Sequence, residues 1–223
     1  MYKFITIKIE VLNHDPVLII YRDLISKTQT EMFLKEFRRK RLYPQVVFNT
    51  GEEEEVSTEI RNVNGTWLSP MGPSALSVYN TISQSIPSIN FDSEELFSTL
   101  SYLPGGHYAP HFDYFYFHED PEDPVFEKYG NRIATFILML KKADKGGATV
   151  FPSIGTTVRA EDEMSLHGGC PVYEGEKVIT TIWVRGVRQP LLSMVDMDKS
   201  FRLEHLIPGM FKPYRHSFKC RYR

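Results

Sequence analysis

Two histidines and one aspartate carry the chemistry that this sequence suggests. His111 and Asp113 close the segment from Tyr102 to Asp113, and His167 follows in Leu166-His167-Gly168-Gly169-Cys170-Pro171-Val172. On a β-strand, residues i and i+2 project from one face, so His111 and Asp113 can reach a single ion. A remote imidazole then closes the set. Two imidazoles and one carboxylate can occupy one face of a ferrous ion and leave the other positions open, the coordination of non-haem iron oxygenases. The carboxylate offsets one positive charge, so the ion can still take an anionic co-substrate and oxygen. A bare His-x-Asp is common in proteins, and its surroundings carry the reading.

Such a triad needs a β framework. Ile5, Ile7, Ile9 and Val11 alternate with polar positions, and Val17 to Tyr21 is an apolar run after Pro16, which predicts N-terminal strands. Asp23 to Arg41 predicts a helix, with Ser26 as N-cap, Met32, Phe33, Leu34 and Phe37 at helical spacing, and basic residues towards its end. The glutamates from Glu52 to Glu55 predict a solvated loop. Ser74 to Pro87 predicts a second amphipathic helix, with Leu76, Val78, Tyr79, Ile82 and Ile86 as its buried stripe. Short strands and Gly/Pro turns then take over. They comprise Glu95 to Tyr102, a turn at Gly105-Gly106, a strand carrying the His-x-Asp, an acidic loop from Glu119 to Pro124, a central strand from Arg132 to Leu140, and a last strand from Lys177 to Val184.

Helices first and many short strands afterwards predict an α+β, mostly β fold. The expected core is a double-stranded β-helix, or jelly roll, with the N-terminal helices packed on one side. Residues 1–190 are expected to form this domain, and 191–223 a C-terminal tail to which no structure is assigned.

The bulk numbers fit one domain. The chain has 223 residues, 42% of them hydrophobic, 13% aromatic and 24% charged, enough for a sizeable core under a polar surface. A net charge of −2 gives no argument for nucleic acid or an anionic membrane as partner. No run approaches the roughly 18 apolar residues that span a bilayer, and the first residues lack the pattern of a secretory signal. Two cysteines, Cys170 and Cys220, exclude a Cys-rich zinc module and a disulfide-dense scaffold. They form either one bridge or two buried thiols.

Four stretches in order resemble the catalytic domain of the collagen-type prolyl 4-hydroxylases, iron- and 2-oxoglutarate-dependent dioxygenases. They are Tyr102 to Asp113, Gly130-Asn131-Arg132-Ile133-Ala134-Thr135, Gly146-Gly147-Ala148-Thr149-Val150-Phe151-Pro152, and His167 to Trp183. Weaker likeness runs back through Trp67 and Arg61 to Asp15-Pro16. The resemblance implies that His111, Asp113 and His167 bind Fe(2+), and that Lys177 pairs with the distal carboxylate of 2-oxoglutarate. It also implies that Tyr102 and Trp183 belong to the 2-oxoglutarate site and that Arg132 lies near the peptide groove. A buried carboxylate is costly unless a cation meets it, which is the physical reason for a lysine there. Read from the residues alone, Lys177 could be a surface lysine, Tyr102 and Trp183 core aromatics, and Arg132 a structural ion pair. The implied activity is hydroxylation at C4 of a peptidyl proline in a proline-rich or collagen-like peptide, with oxygen and 2-oxoglutarate giving succinate and carbon dioxide. L-ascorbate would rescue iron oxidised in uncoupled turnovers. The implied home is the endoplasmic reticulum lumen, although the sequence displays neither an entry signal nor a retention tail. An oligomer or a partner subunit is left open.

The chain departs from the family pattern between Gly155 and His167, where a further glycine-led strand is expected. Only Thr156 to Leu166 intervenes, so the core is expected to lack one strand. Residues 159–165 can reach about 23 Å if extended, enough for a strand length of about 17–20 Å, so His167 can still approach the metal. Arg185 stands where the family often has histidine, and Cys220 lies further from the distal histidine than the family's last cysteine. Two alternatives follow. One is a catalytically impaired family member acting as a binding protein, favoured by the short segment and opposed by the triad with Lys177. The other is a 2-oxoglutarate oxygenase with another substrate.

Overall fold

The computed structural model describes residues 7–14, 17–47, 57–92, 95–115, 124–150, 165–194 and 203–207. It opens with an antiparallel hairpin of β1 (Lys8–His14) and β2 (Val17–Arg22), followed by α1 (Lys27–Phe37). Ser26 caps α1 as expected. Its hydroxyl accepts from the Gln29 N–H and the Gln29 side chain accepts from the Ser26 N–H, a capping box. The helix is shorter than the predicted span, and it buries Phe33 and Phe37 while Met32 is exposed. Phe33 and Phe37 are four apart and share one face, which Met32, a single residue away, cannot join.

Strands β3 (Tyr43–Pro44), β4 (Arg61–Asn62) and β5 (Asn64–Leu68) lead into α2 (Pro73–Ser85). Proline opens α2, where its missing N–H costs nothing. Its buried face is Ala75, Val78 and Ile82, with Ile86 just past its end, and Leu76 and Tyr79 are only partly buried. The two helices are joined by Glu36, whose carboxylate accepts from the Ser74 N–H and hydroxyl at the start of α2.

The rest of the described chain is β6 (Phe97–Tyr102), β7 (His107–His111), α3 (Pro124–Tyr129), β8 (Arg132–Lys141), β9 (Lys145–Gly146), β10 (Thr149–Val150), β11 (His167–Gly169), β12 (Val172–Glu174) and β13 (Lys177–Arg185). One sheet has five strands in the order β3-β5-β6-β13-β8, another has four in the order β10-β11-β7-β4, and β9 pairs with β12. The architecture is of the jelly-roll type, with α1 and α2 packed on one face of the larger sheet.

β13 sets the geometry. All nine of its residues are buried, and it pairs antiparallel with β6 on one side and β8 on the other. Its residues alternate between two environments. Val178, Ile182 and Val184 join Phe33, Phe37, Val78 and Ile82 in the main core, while Lys177, Ile179, Thr181 and Trp183 line a cavity. Its neighbours follow the same rule. Phe97 of β6 and Ala134, Phe136 and Leu138 of β8 pack on the core; Leu100, Tyr102, Thr135 and Ile137 face the cavity. Between β6 and β13 the buried hydroxyls of Thr99 and Thr180 bond to each other at 2.9 Å. Glu176, just ahead of β13, accepts from Ser101 of β6 at 2.8 Å, Lys141 of β8 at 3.0 Å and Arg38 at 3.3 Å.

One expectation changes. The apolar run 132–140 is not a central strand but an edge of the sheet among the described residues. Ala134, Phe136 and Leu138 pack on the main core, Thr135 and Ile137 line the cavity, and Ile133 and Met139 are exposed. Segment 203–207 is tied to the domain: Leu206 packs against the core and its carbonyl accepts from the Tyr21 hydroxyl at 2.7 Å. The Glu52–Glu55 tract, residues 119–123 of the acidic loop, most of the short connection before His167, and Cys220 lie outside the described residues. Among the described residues no helix is long and apolar enough to cross a membrane.

Candidate metal centre and its cavity

β7 and β11 pair antiparallel with His167 directly opposite His111. The approach is close because Gly168 has no side chain: a Cβ there would lie 3.1 Å from the Tyr108 carbonyl oxygen and 3.3 Å from the Pro110 nitrogen. The two imidazole centroids end 4.4 Å apart. Asp113 lies beyond the end of β7, not on the strand as expected. There the chain is held by Asn131, whose side chain accepts from the Phe115 N–H and donates to the Phe115 carbonyl. The Asp113 carboxylate still reaches both rings, with Oδ1 3.7 Å from His111 Nε2 and Oδ2 3.3 Å from His167 Nε2. One donor atom from each of the three residues can be chosen so that all lie within 4.8 Å of one another.

Both rings are oriented for ligation. Each donates Nδ1–H to a carbonyl two residues earlier, His111 to Ala109 at 2.9 Å and His167 to Ser165 at 3.0 Å. That commits Nδ1 and turns Nε2 to the carboxylate, the usual arrangement behind a metal-binding histidine. The Thr135 hydroxyl donates to Asp113 Oδ2 at 2.6 Å. Burial, with the neighbouring His167, pushes His111 down to about 4. Burial also works to raise the Asp113 carboxyl, but the bonds from His167 and Thr135 outweigh it and hold the group well below the usual carboxylate range. For His167 burial works downwards, and the Asp113 bond and charge overcome it and raise the imidazole. The attraction between His167 and Asp113 lies where a divalent cation would compete with a proton.

The seven residues singled out from the sequence, Tyr102, His111, Asp113, Arg132, His167, Lys177 and Trp183, all line one cavity of about 690 Å³. Lys177 sits opposite Tyr102 across β13 and β6 and is only 2% exposed, so it is no surface lysine. Its ammonium donates to Thr149 Oγ1 at 3.2 Å and lies 5.2 Å from the centre of the Tyr102 ring. Burial lowers its pKa, and among the described residues no carboxylate pairs with it. A buried ammonium in that state is costly, and the carboxylate of a bound acid would relieve it. Burial pushes the Tyr102 phenol up to about 12. Two nitrogens and one oxygen from three residues fit a ferrous ion, and the buried cation fits a dicarboxylate.

Arg132 has the ion pair weighed for it and also lines the cavity. It lines the cavity, with its guanidinium 3.7 Å from the Trp183 ring centre, and it pairs with Glu95 at 3.3 Å. Arg185 takes the same Glu95 oxygen at 2.6 Å and donates to the Gly130 carbonyl at 3.0 Å, an arrangement that braces strand ends. Sequence reasoning missed Thr135, Thr149 and the ring of Tyr108, which stacks on His111 at 3.6 Å and 16°. Thr135 left one signal, a hydroxyl inside an otherwise apolar run.

Residues 97–185 match the family model described as the 2OG-Fe(II) oxygenase superfamily. That stretch contains the whole triad. Over 232 aligned residues the chain is 30% identical to prolyl 4-hydroxylase subunit alpha-2 of Caenorhabditis elegans, covering 95% of this chain and 42% of that protein. It is likewise 30% identical over 189 residues to prolyl 4-hydroxylase subunit alpha-1 of Homo sapiens, covering 76% of this chain and 34% of that one. The chain therefore spans less than half the length of these relatives. Its fold is also like that of a viral collagen prolyl hydroxylase from Paramecium Bursaria Chlorella virus-1, solved as a 2OG complex, with a TM-score of 0.51 and 21% identity over 80% of this chain and 96% of that one.

Proposed function

We propose that this chain is the catalytic domain of a peptidyl-proline 4-hydroxylase that consumes oxygen and 2-oxoglutarate and releases succinate and carbon dioxide. One observation carries the reading: a facial set of three metal donors opens into the same cavity as a buried lysine that no described carboxylate neutralises. A ferrous ion there would supply the oxygen activation and hydrogen abstraction that no side chain provides. His111 and His167 offer Nε2 and Asp113 a carboxylate oxygen, while Thr135 and the carbonyls of Ala109 and Ser165 keep those donors aimed. Lys177 meets the distal carboxylate of 2-oxoglutarate, with Tyr102 beside it. Six residues of extended strand, about 20 Å, separate Lys177 from Trp183, which is longer than the acid. In this reading Trp183 joins Arg132 at the peptide end and does not touch the co-substrate. The substrate is proline in a proline-rich or collagen-like peptide. Need for L-ascorbate and residence in the endoplasmic reticulum lumen belong to the same proposal and rest on the likeness to prolyl 4-hydroxylase subunits.

The test is iron content and succinate release by purified protein, with and without a proline-repeat peptide. Stoichiometric iron and peptide-dependent succinate are expected. Iron without turnover points to a binding protein, turnover indifferent to the peptide points to another substrate, and no retained iron removes the oxygenase reading.

A further inference from the structure

Arg61 donates nothing to the triad, yet it ends a stack that reaches it. Register sets Arg61 opposite Tyr108 across β4 and β7. The Arg61 Cζ lies over the Tyr108 ring, 4.5 Å from its centroid, and Tyr108 lies nearly parallel to His111 at 3.6 Å. The outer layer is itself anchored. Arg61 donates through a terminal nitrogen to the Val46 carbonyl at 2.9 Å, and the Ala109 N–H donates to the Ile60 carbonyl at 2.7 Å. His107 adds a clamp, its ring nitrogens 3.0 Å from the Gly105 carbonyl and 2.9 Å from the Glu59 carbonyl.

The bond from His111 Nδ1 to the Ala109 carbonyl fixes one direction in the imidazole plane and leaves the ring able to rock about that line. A parallel aromatic face resists the rocking, provided the aromatic ring cannot swing outward. A guanidinium over the ring, drawn to its electron density, supplies that restraint. Arg61, Val46 and Ile60 also line the cavity, so the restraint runs from its rim to the ligand.

We propose that Arg61 is a positioning residue for the metal centre, holding Tyr108 flat against His111 and so fixing the plane of the imidazole that ligates the ion. The inference rests on the proposed function and concerns the same site. The experiment compares the unaltered chain with Arg61→Gln, which can keep a donor for Val46 without the charge, and Arg61→Lys, which keeps the charge. Ferrous-ion affinity and the visible absorption of the anaerobic Fe(II)–2-oxoglutarate complex are measured for each. Arg61→Gln is expected to bind the ion about tenfold more weakly with a shifted absorption, in the range of other residues that orient metal ligands, and Arg61→Lys to stay close to the unaltered chain. Equal affinity and absorption in Arg61→Gln overturn the positioning role, as does an equal loss in both variants, which would show that the charge over Tyr108 is not what holds the ring. Tyr108→Phe and Tyr108→Leu give a second check should the Arg61 variants fail to fold: only the leucine should weaken iron binding, and indistinguishable affinities overturn the proposal. An unaltered chain that binds no Fe(II) would instead sink the proposed function, and this inference with it.

Discussion

The two faces of the five-stranded sheet are built from the same strands under opposite demands. On the helix side Val178, Ile182 and Val184 meet phenylalanines and aliphatics, and every contact favours folding. On the cavity side, one residue away along the same strand, stand Lys177, Thr181 and Trp183. A buried ammonium opposes folding, and under the proposed function the carboxylate of 2-oxoglutarate offsets that cost. The comparison teaches that one face supplies the stability that the other face draws down for a ligand.

Three experiments break or sharpen the contrast. The largest effect belongs to the helix side. Ile182→Ala should lose about 2–5 kcal/mol of stability in a denaturant titration, while the folded fraction binds iron normally. If iron affinity fell in proportion, the faces would not be separable. Next comes Lys177→Met. It should raise the 2-oxoglutarate dissociation constant about 10- to 100-fold, the loss of a charge-assisted bond of about 1.5–3 kcal/mol, without lowering the thermal midpoint. A midpoint that falls as in Ile182→Ala would make Lys177 a core residue after all. The smallest effect is one of pH. His167 is raised, so protons compete for its Nε2 up to the raised value, while His111, at about 4, competes only in acid. Metal affinity should therefore drop as pH falls through the His167 value, with about one proton released per ion bound. Titrations with Mn(II) at several pH values check this, and a flat profile above pH 5 would contradict it.

The triad was legible because its chemistry fixes residue types and spacing, whatever the backbone does around it. β13 was legible because an unbroken apolar and β-branched run leaves few other choices. The central place expected of β8 was not, because an apolar run reports cover on its faces and says nothing of how many strands flank it. Nor was the exit of Asp113 from β7, which depends on Asn131, eighteen positions later in the chain. The pairing of Arg132 with Glu95, shared with Arg185, needs three segments brought together and leaves no local pattern. The connection that precedes His167 lies outside the described residues, so the expected loss of a strand stands as a sequence reading.

Glu95 and Glu176 gain meaning when taken together. Glu95 gathers the start of β8 and the end of β13; Glu176 gathers β6, β8 and the residue that caps α1 at its C-terminal end. Sliding β13 by one position would turn Lys177 into the hydrocarbon side and an isoleucine or valine into the cavity. Either glutamate alone could follow such a slide with its flexible arm. With anchors at opposite ends of a nine-residue strand, a slip must break both sets of bonds at once, so the chain is proofread for alignment before any ligand arrives.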